Sequence, residues 1–372
     1  MRWVGFLFLG SAPRPCLPLA NGSRNNYVAH MRFLPAADPL LSYFCPLPVD
    51  RALPAVRLER FPRSAYEAVN GQIGPLANLR SSAGCAIVFS TDSPRITVVL
   101  ERLRHHQPIA CGITLEIERD DGWHQVSSAD IRELDGDVSI GLPTGLERGG
   151  PLRTVWVWLP LISTCAVAGI KITEGAQVAV AKLPEPRWLA IGDSLTQGFS
   201  VQSPVQNWVH RLSRRWSMPV YNMGVGGIKI EPAVFSPALT ERRYDLVTIA
   251  LGSNHSWRES DVETAVLAAK SMVELALAGG HGRVVWLLPP WKPCEEGKGP
   301  SDFAGVPLDR AAGQRVGRVR EALRECLNRV VPALTIIDDL MPHDHRLLPD
   351  GLHPQALGFA KFADNVANKL GG

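Results

Sequence analysis

Three residues of this 372-residue chain have the types and settings that acyl transfer through a covalent intermediate requires: Ser194, His353 and Asp350. Ser194 follows a short apolar run, Trp188 to Ile191, which ends at Gly192-Asp193. Such a run reads as a buried parallel strand turning into a helix. A serine at that corner presents its hydroxyl at the carboxyl end of the sheet, beside the amides of the opening helical turn. Asp350 and His353 stand three residues apart in Leu348-Pro349-Asp350-Gly351-Leu352-His353-Pro354. Within a loop, that spacing lets the carboxylate hold one imidazole nitrogen while the other faces the serine. The imidazole tautomer is then fixed, and the imidazolium formed on taking the serine proton is stabilised.

Two further stretches bear on charge developing in the reaction. Gly224-Val225-Gly226-Gly227 follows a predicted strand, and so many glycines allow close backbone approach and an amide left to donate. Asn254, in Leu251-Gly252-Ser253-Asn254 at the end of a central strand, has a side-chain amide able to meet an oxyanion. Each stretch also has a plainer reading. Asp193-Ser194 is an ordinary helix cap, the glycines a tight turn, Asn254 a cap, and Asp350-Gly351 a turn beside a solvent-facing histidine.

Other residues compete for these roles. His255 is a rival base, although on an extended strand end its side chain points away from that of Asn254. Asp338 and Asp339 are rival orienting acids at the end of the last strand. His343, Asp344 and His345 form a polar loop without a third spaced metal ligand. Trp291, after Pro289-Pro290, reads either as a pocket-rim residue that would stack on a sugar or cover an acyl chain, or as a plain buried tryptophan.

The elements that must position these groups fall into two patterns. From about Val56 to Val180 the chain reads as strands throughout. Ala86–Thr91 and Arg95–Leu100 read as antiparallel neighbours across Asp92-Ser93-Pro94. Ile113–Glu118 and Trp123–Val126 form a hairpin, and Val138–Ile140, Thr154–Leu159 and Ala168–Ile172 add further strands. Many short strands without intervening helices indicate an antiparallel β-sandwich of jelly-roll type. Lys182 to Pro186 is the hinge, giving a leader at 1–30, a sandwich at 31–183 and an α/β unit at 184–372. In the last, strands at Trp188–Ile191, Val220–Met223, Asp245–Leu251, Val284–Leu288 and Leu334–Ile337 alternate with helices. These helices are Asn207–Trp216, Asp261–Ala278, Asp309–Val330 and Gln355–Leu370, an order that calls for a parallel sheet covered on both faces.

Composition narrows the function classes. A net charge of +3 with scattered Lys and Arg leaves no electrostatic footprint for nucleic acid. No apolar run approaches the roughly 20 residues of a membrane span. Seven dispersed cysteines suit a reducing, cytoplasmic setting rather than a disulfide framework. Met1 to Gly10 is similar to a short secretory signal, so secretion stays open.

Taken in order, Gly192-Asp193-Ser194-Leu195, the Gly224 to Gly227 cluster, Gly252-x-Asn254 and Asp350-x-x-His353 resemble the four blocks of the SGNH, or GDSL, hydrolases. The resemblance covers about residues 185 to 372. It implies a flavodoxin-like three-layer fold and a Ser194–His353–Asp350 triad. The implied oxyanion hole joins the Ser194 and Gly227 amides with the Asn254 side chain, and no cofactor or metal is called for. Asn78-Leu79-Arg80-Ser81-Ser82-Ala83-Gly84 and Ile87 to Ser93 are similar to the N-terminal sandwich of bacterial GDSL-type esterases. Family two carbohydrate esterases share that layout, although an Asp-Leu-Tyr signature is lacking after Cys111. The expected function is hydrolysis of short acyl, first acetyl, esters of small molecules or carbohydrates. The alternatives are acyl transfer to an alcohol, or a carbohydrate-binding module with an inactive hydrolase half. Oligomeric state is left open.

Overall fold

The computed structural model describes residues 30–69, 71–107, 109, 111–256, 261–332 and 334–371. The leader and its signal-like segment lie outside these residues.

The first half of the chain builds antiparallel sheets. One holds Met31–Pro35, Ser163–Thr173, Arg95–His105 and Gly136–Pro143 in that spatial order. The other runs Val178–Ala179, Ala86–Thr91, Arg153–Trp158, Gly112–Arg119, Gly122–Asp130, with Ser42–Phe44 also pairing with Ala86–Thr91. Period-two alternation sends Ile96, Val98 and Leu100 from one sheet and Ile87, Phe89, Val155 and Val157 from the other into one buried cluster.

Two expectations are corrected here. Ala86–Thr91 and Arg95–His105 are not neighbours; they belong to different sheets. The turn between them is a corner rather than a hairpin, because buried Asp92 is held by other loops, accepting from Gln177 N and Gly149 N, both at 2.7 Å. The strand-like reading from Val56 onward also fails at Arg63–Ala68 and Ile73–Leu79, two short helices. At six and seven residues they are too brief to show a helical period, and the second carries Gly74 and Pro75 in its first turn.

The second half is a five-stranded parallel sheet, made by Trp188–Gly192, Val220–Gly224, Leu246–Ala250, Arg283–Leu287 and Thr335–Ile337. Its spatial order is second, first, third, fourth, fifth. The chain reverses direction at the first strand, so a crevice opens beyond the carboxyl ends of the first and third strands. Alternate residues face opposite layers. Trp188, Ala190 and Val285 pack with Trp208, Leu212, Phe359 and Phe362 on one side. Leu189, Ile191 and Val247 pack with Phe235, Ala269, Met272 and Leu323 on the other. Helix Pro232–Thr240 was not expected, since Pro232 and Pro237 break the local pattern; Pro232 occupies its first turn, where the missing N–H costs nothing. Among the described residues no helix is long and apolar enough to cross a membrane.

Candidate active site

Ser194 is the first residue of a single helical turn, Ser194–Gln197, directly after the first parallel strand. Asp193 caps that turn, its Oδ1 accepting from Leu195 N at 3.0 Å. The ordinary capping role thus belongs to Asp193, and the next side chain is left for chemistry. As a first-turn amide, the Ser194 N–H is out of reach of any intrahelical carbonyl. Burial pushes the Asp193 carboxyl up, and the Leu195 amide and the charge of buried Lys292 partly offset this.

The hydroxyl, the imidazole and the carboxylate form one continuous line. Ser194 Oγ lies 3.0 Å from His353 Nε2, and His353 Nδ1 lies 2.7 Å from Asp350 Oδ2. A carboxylate can only accept, so Nδ1 carries the imidazole proton and Nε2 accepts from the serine hydroxyl. Asp350 is itself pinned: its Oδ1 accepts from Leu352 N at 2.9 Å and His353 N at 2.7 Å. Burial raises the Asp350 carboxyl, but the imidazole and these two amides outweigh it and hold the group below the usual carboxylate range. Ser194 and His353 are both buried, and the rings of Phe199 and Phe303 lie 4.6 and 5.4 Å from the imidazole. Such walls keep water from competing for these hydrogen bonds.

Gly227 and Asn254 follow the carboxyl ends of the two strands that flank the first. The glycine loop follows the second strand, and Gly227 adopts φ +78°, a left-handed conformation. Asn254 lies in a 3-10 turn, Ser253–His255, after the third strand. Its Nδ2 donates to Ile228 O at 2.8 Å, which fixes the rotation of the carboxamide and ties it to the glycine loop.

The rival residues are engaged elsewhere. His255 is fully buried, its Nε2 accepting from Ile230 N at 2.9 Å and its Nδ1 facing Asp261 O at 3.2 Å. Burial lowers its pKa to about 4, so it is a packed structural histidine. Asp338 pairs with Arg324. Asp344 caps and pairs with Arg346, and His343 lies 3.2 Å from Glu296. Trp291 is buried, with its ring stacked on His343 at 4.7 Å. One face that a sugar was expected to use is thereby taken.

Three residues around the glycine loop escaped the sequence reading: Arg60, Asn78 and Gln197. Arg60 is fully buried and donates to five acceptors, among them Asn222 O at 3.1 Å and Gly224 O at 2.7 Å. Asn78 and Gln197 bind the next peptides of the loop. For Asn78 there was a signal, since it opens the 78–84 stretch that resembles other esterase sandwiches; for Arg60 no local pattern marks a buried guanidinium.

Comparisons with known proteins bear on the family and on the fold. Residues 190–361 match the GDSL-like lipase/acylhydrolase family. A protein of GDSL-like lipase type from Bacteroides ovatus superposes with TM-score 0.74 at 18% identity, covering 92% of this chain and 98% of its own. A salicylyl-acyltransferase from a tetracycline biosynthetic pathway gives 0.71 at 18% identity, covering 91% and 97%. A family two carbohydrate esterase from Clostridium thermocellum, solved with cellohexaose, gives 0.56 at 14% identity, covering 89% and 99%. These likenesses extend over both halves and concern the fold. No curated protein matches the chain.

Proposed function

For a chain that belongs to the GDSL-like lipase/acylhydrolase (SGNH) family, we propose the activity of a serine esterase acting on short acyl esters, acetyl before longer ones, with acetylated carbohydrate as the first alcohol half to test. The observation that carries the reading is the unbroken line from Asp350 through His353 to Ser194, at 2.7 and 3.0 Å. In this mechanism His353 Nε2 takes the proton of Ser194 Oγ as the oxygen attacks the ester carbonyl. Asp350 holds the resulting imidazolium. The Ser194 and Gly227 amides and the Asn254 carboxamide donate to the oxyanion. His353 then returns its proton to the departing alcohol, leaving an acyl group on Ser194. Water, deprotonated by the same imidazole, releases the acid.

The test is turnover of p-nitrophenyl acetate, butyrate and octanoate, and of acetylated sugars, by the wild type and by Ser194→Ala. We expect Ser194→Ala to lower kcat by about 10³-fold or more. Equal rates in the two proteins would remove the esterase and leave a binding module. Flat rates across chain length with no preference for a sugar would remove the carbohydrate half of the proposal. Ester products that grow with an added alcohol, at the expense of free acid, would identify a transferase using the same acyl-enzyme.

A further inference from the structure

We propose that Asn78, on helix Ile73–Leu79 of the N-terminal half, is a positioning residue that aims the Gly227 amide into the oxyanion hole. The proposal rests on the esterase reading of Ser194 and adds to it a part for the N-terminal half.

The argument begins with one peptide group. Asn78 Nδ2 donates to Gly226 O at 3.0 Å. In a trans peptide the carbonyl of residue 226 and the N–H of residue 227 point in opposite directions across the same rigid plane. The chain has no cis peptide bonds among the described residues, so holding the Gly226 oxygen sets where the Gly227 hydrogen points. With Gly227 at φ +78°, that plane would otherwise rotate easily. The preceding peptides are held as well. Gly226 N donates to Gln197 Oε1 at 2.6 Å, Val225 N to Gly192 O at 2.9 Å, and the Gly224 oxygen accepts from Arg60 Nη1 at 2.7 Å.

Asn78 is in turn fixed from both ends. Its backbone oxygen accepts from Arg60 Nη2 at 2.7 Å, and its Oδ1 accepts from Gln197 Nε2 at 3.2 Å. This second bond decides which side of the carboxamide faces Gly226, because an oxygen there would meet another oxygen. Gln197 lies three residues after the nucleophile, so the network joins the N-terminal helix, the nucleophile turn and the glycine loop. Arg60 completes all five of its N–H bonds on carbonyl and hydroxyl oxygens, with no carboxylate among them. Burying a guanidinium on neutral partners is costly. Its presence here fits a site whose requirement is orientation rather than stability.

Asn78→Asp tests this directly, because the change keeps the shape and replaces a donor by an acceptor facing the Gly226 oxygen. Crystal structures of the wild type and the variant read the peptide without any assay. We expect the Gly226–Gly227 peptide to be turned in the variant while Ser194, His353 and Asp350 keep their places; an unturned peptide overturns the proposal. With p-nitrophenyl acetate we expect kcat to fall about 10- to 100-fold, somewhat less than the loss of an oxyanion donor itself. KM and the pH profile set by the imidazole should stay near those of the wild type. A rise in KM at unchanged kcat would mean that Asn78 serves binding and not the hole. If Asn78→Asp does not fold, Asn78→Ala removes the donor without adding charge and is read the same way. A wild type without Ser194-dependent turnover would remove the esterase reading, whereas the orientation of the peptide would still decide this one.

Discussion

The two oxygens of Asp350 do different jobs. One is tied to the amides of Leu352 and His353, the other to the imidazole, so the carboxylate sets both the shape of its loop and the tautomer of the base. Asp350→Asn separates these jobs. Its oxygen can keep the two amides, but its NH2 then faces His353 Nδ1, which must give up its hydrogen to accept. The proton moves to Nε2 and meets Ser194 Oγ, where an acceptor is needed. We expect kcat to fall about 10³- to 10⁴-fold with little change in KM or in the positions of the side chains. A variant within tenfold of the wild type would show that the Asp350 carboxylate does not orient the base. This part of the site was legible in the sequence because Asp350 and His353 belong to one turn, where three residues of separation nearly determine the distance. The contacts of Arg60 and Asn78 were not, since both reach the glycine loop from more than 140 residues away in the chain, and only the resemblance of the 78–84 stretch pointed toward Asn78.

At the level of elements, the nucleophile turn and the glycine loop pack so closely that their glycines have separate duties. A Cβ on Gly224 would lie 2.1 Å from Gln197 N, in the backbone of the nucleophile turn. On Gly227 it would meet only Pro75, at 3.8 Å, but there φ is +78°. Gly224→Ala must therefore push the turn that carries Ser194, whereas Gly227→Ala mainly bears the left-handed strain of about 1–2 kcal/mol. We expect thermal unfolding to show the larger loss of stability for Gly224→Ala, accompanied by loss of turnover. A Gly224→Ala protein as stable as Gly227→Ala would mean that the two elements are less tightly joined than their spacing indicates. The sequence showed this pair as a glycine cluster after a strand, because buried parallel strands are written as short apolar runs with sharp ends. It hid helices Arg63–Ala68, Ile73–Leu79 and Pro232–Thr240, whose few residues and internal prolines or glycine leave no period to read. It also misled at Asp92-Ser93-Pro94, where turn chemistry is the same for a hairpin and for a corner between sheets.

Across the whole molecule, the two halves are joined by a buried ion cluster that no local pattern announces. Glu116 sits in an alternating strand, at a position that reads as solvent-facing, yet it is 4% exposed. It accepts from Trp158 Nε1 at 2.7 Å within its own half, and from Arg214 Nη2 at 2.6 Å across the junction, with His210 Nε2 3.1 Å away. The Arg214 guanidinium in turn lies 4.0 Å from the centre of the Trp123 ring. Burial raises the Glu116 carboxyl, but His210 and Arg214 outweigh it and hold the group far below the usual carboxylate range. A carboxylate depressed in the folded state adds stability that is complete above its unfolded pKa, about 4.3, and is lost as the pH falls toward the folded value. Burial lowers the His210 pKa below the usual imidazole value, an effect that the Glu116 carboxylate partly offsets. The unfolded chain binds the imidazole proton from about pH 6.5 downward, and a second loss of stability begins there. Glu116→Gln keeps the shape, removes the charge and turns an NH2 toward groups that donate. We expect a loss on the order of 3 kcal/mol at pH 7, at the lower end for a broken buried pair because Arg214 keeps some contact with water. In urea titrations at pH 7, 5, 4 and 3.5, the gap between wild type and variant should hold through pH 5 and narrow below it, as the wild type loses the advantage of its carboxylate. A gap unchanged down to pH 3.5 would mean that Glu116 joins the halves by packing, without its charge.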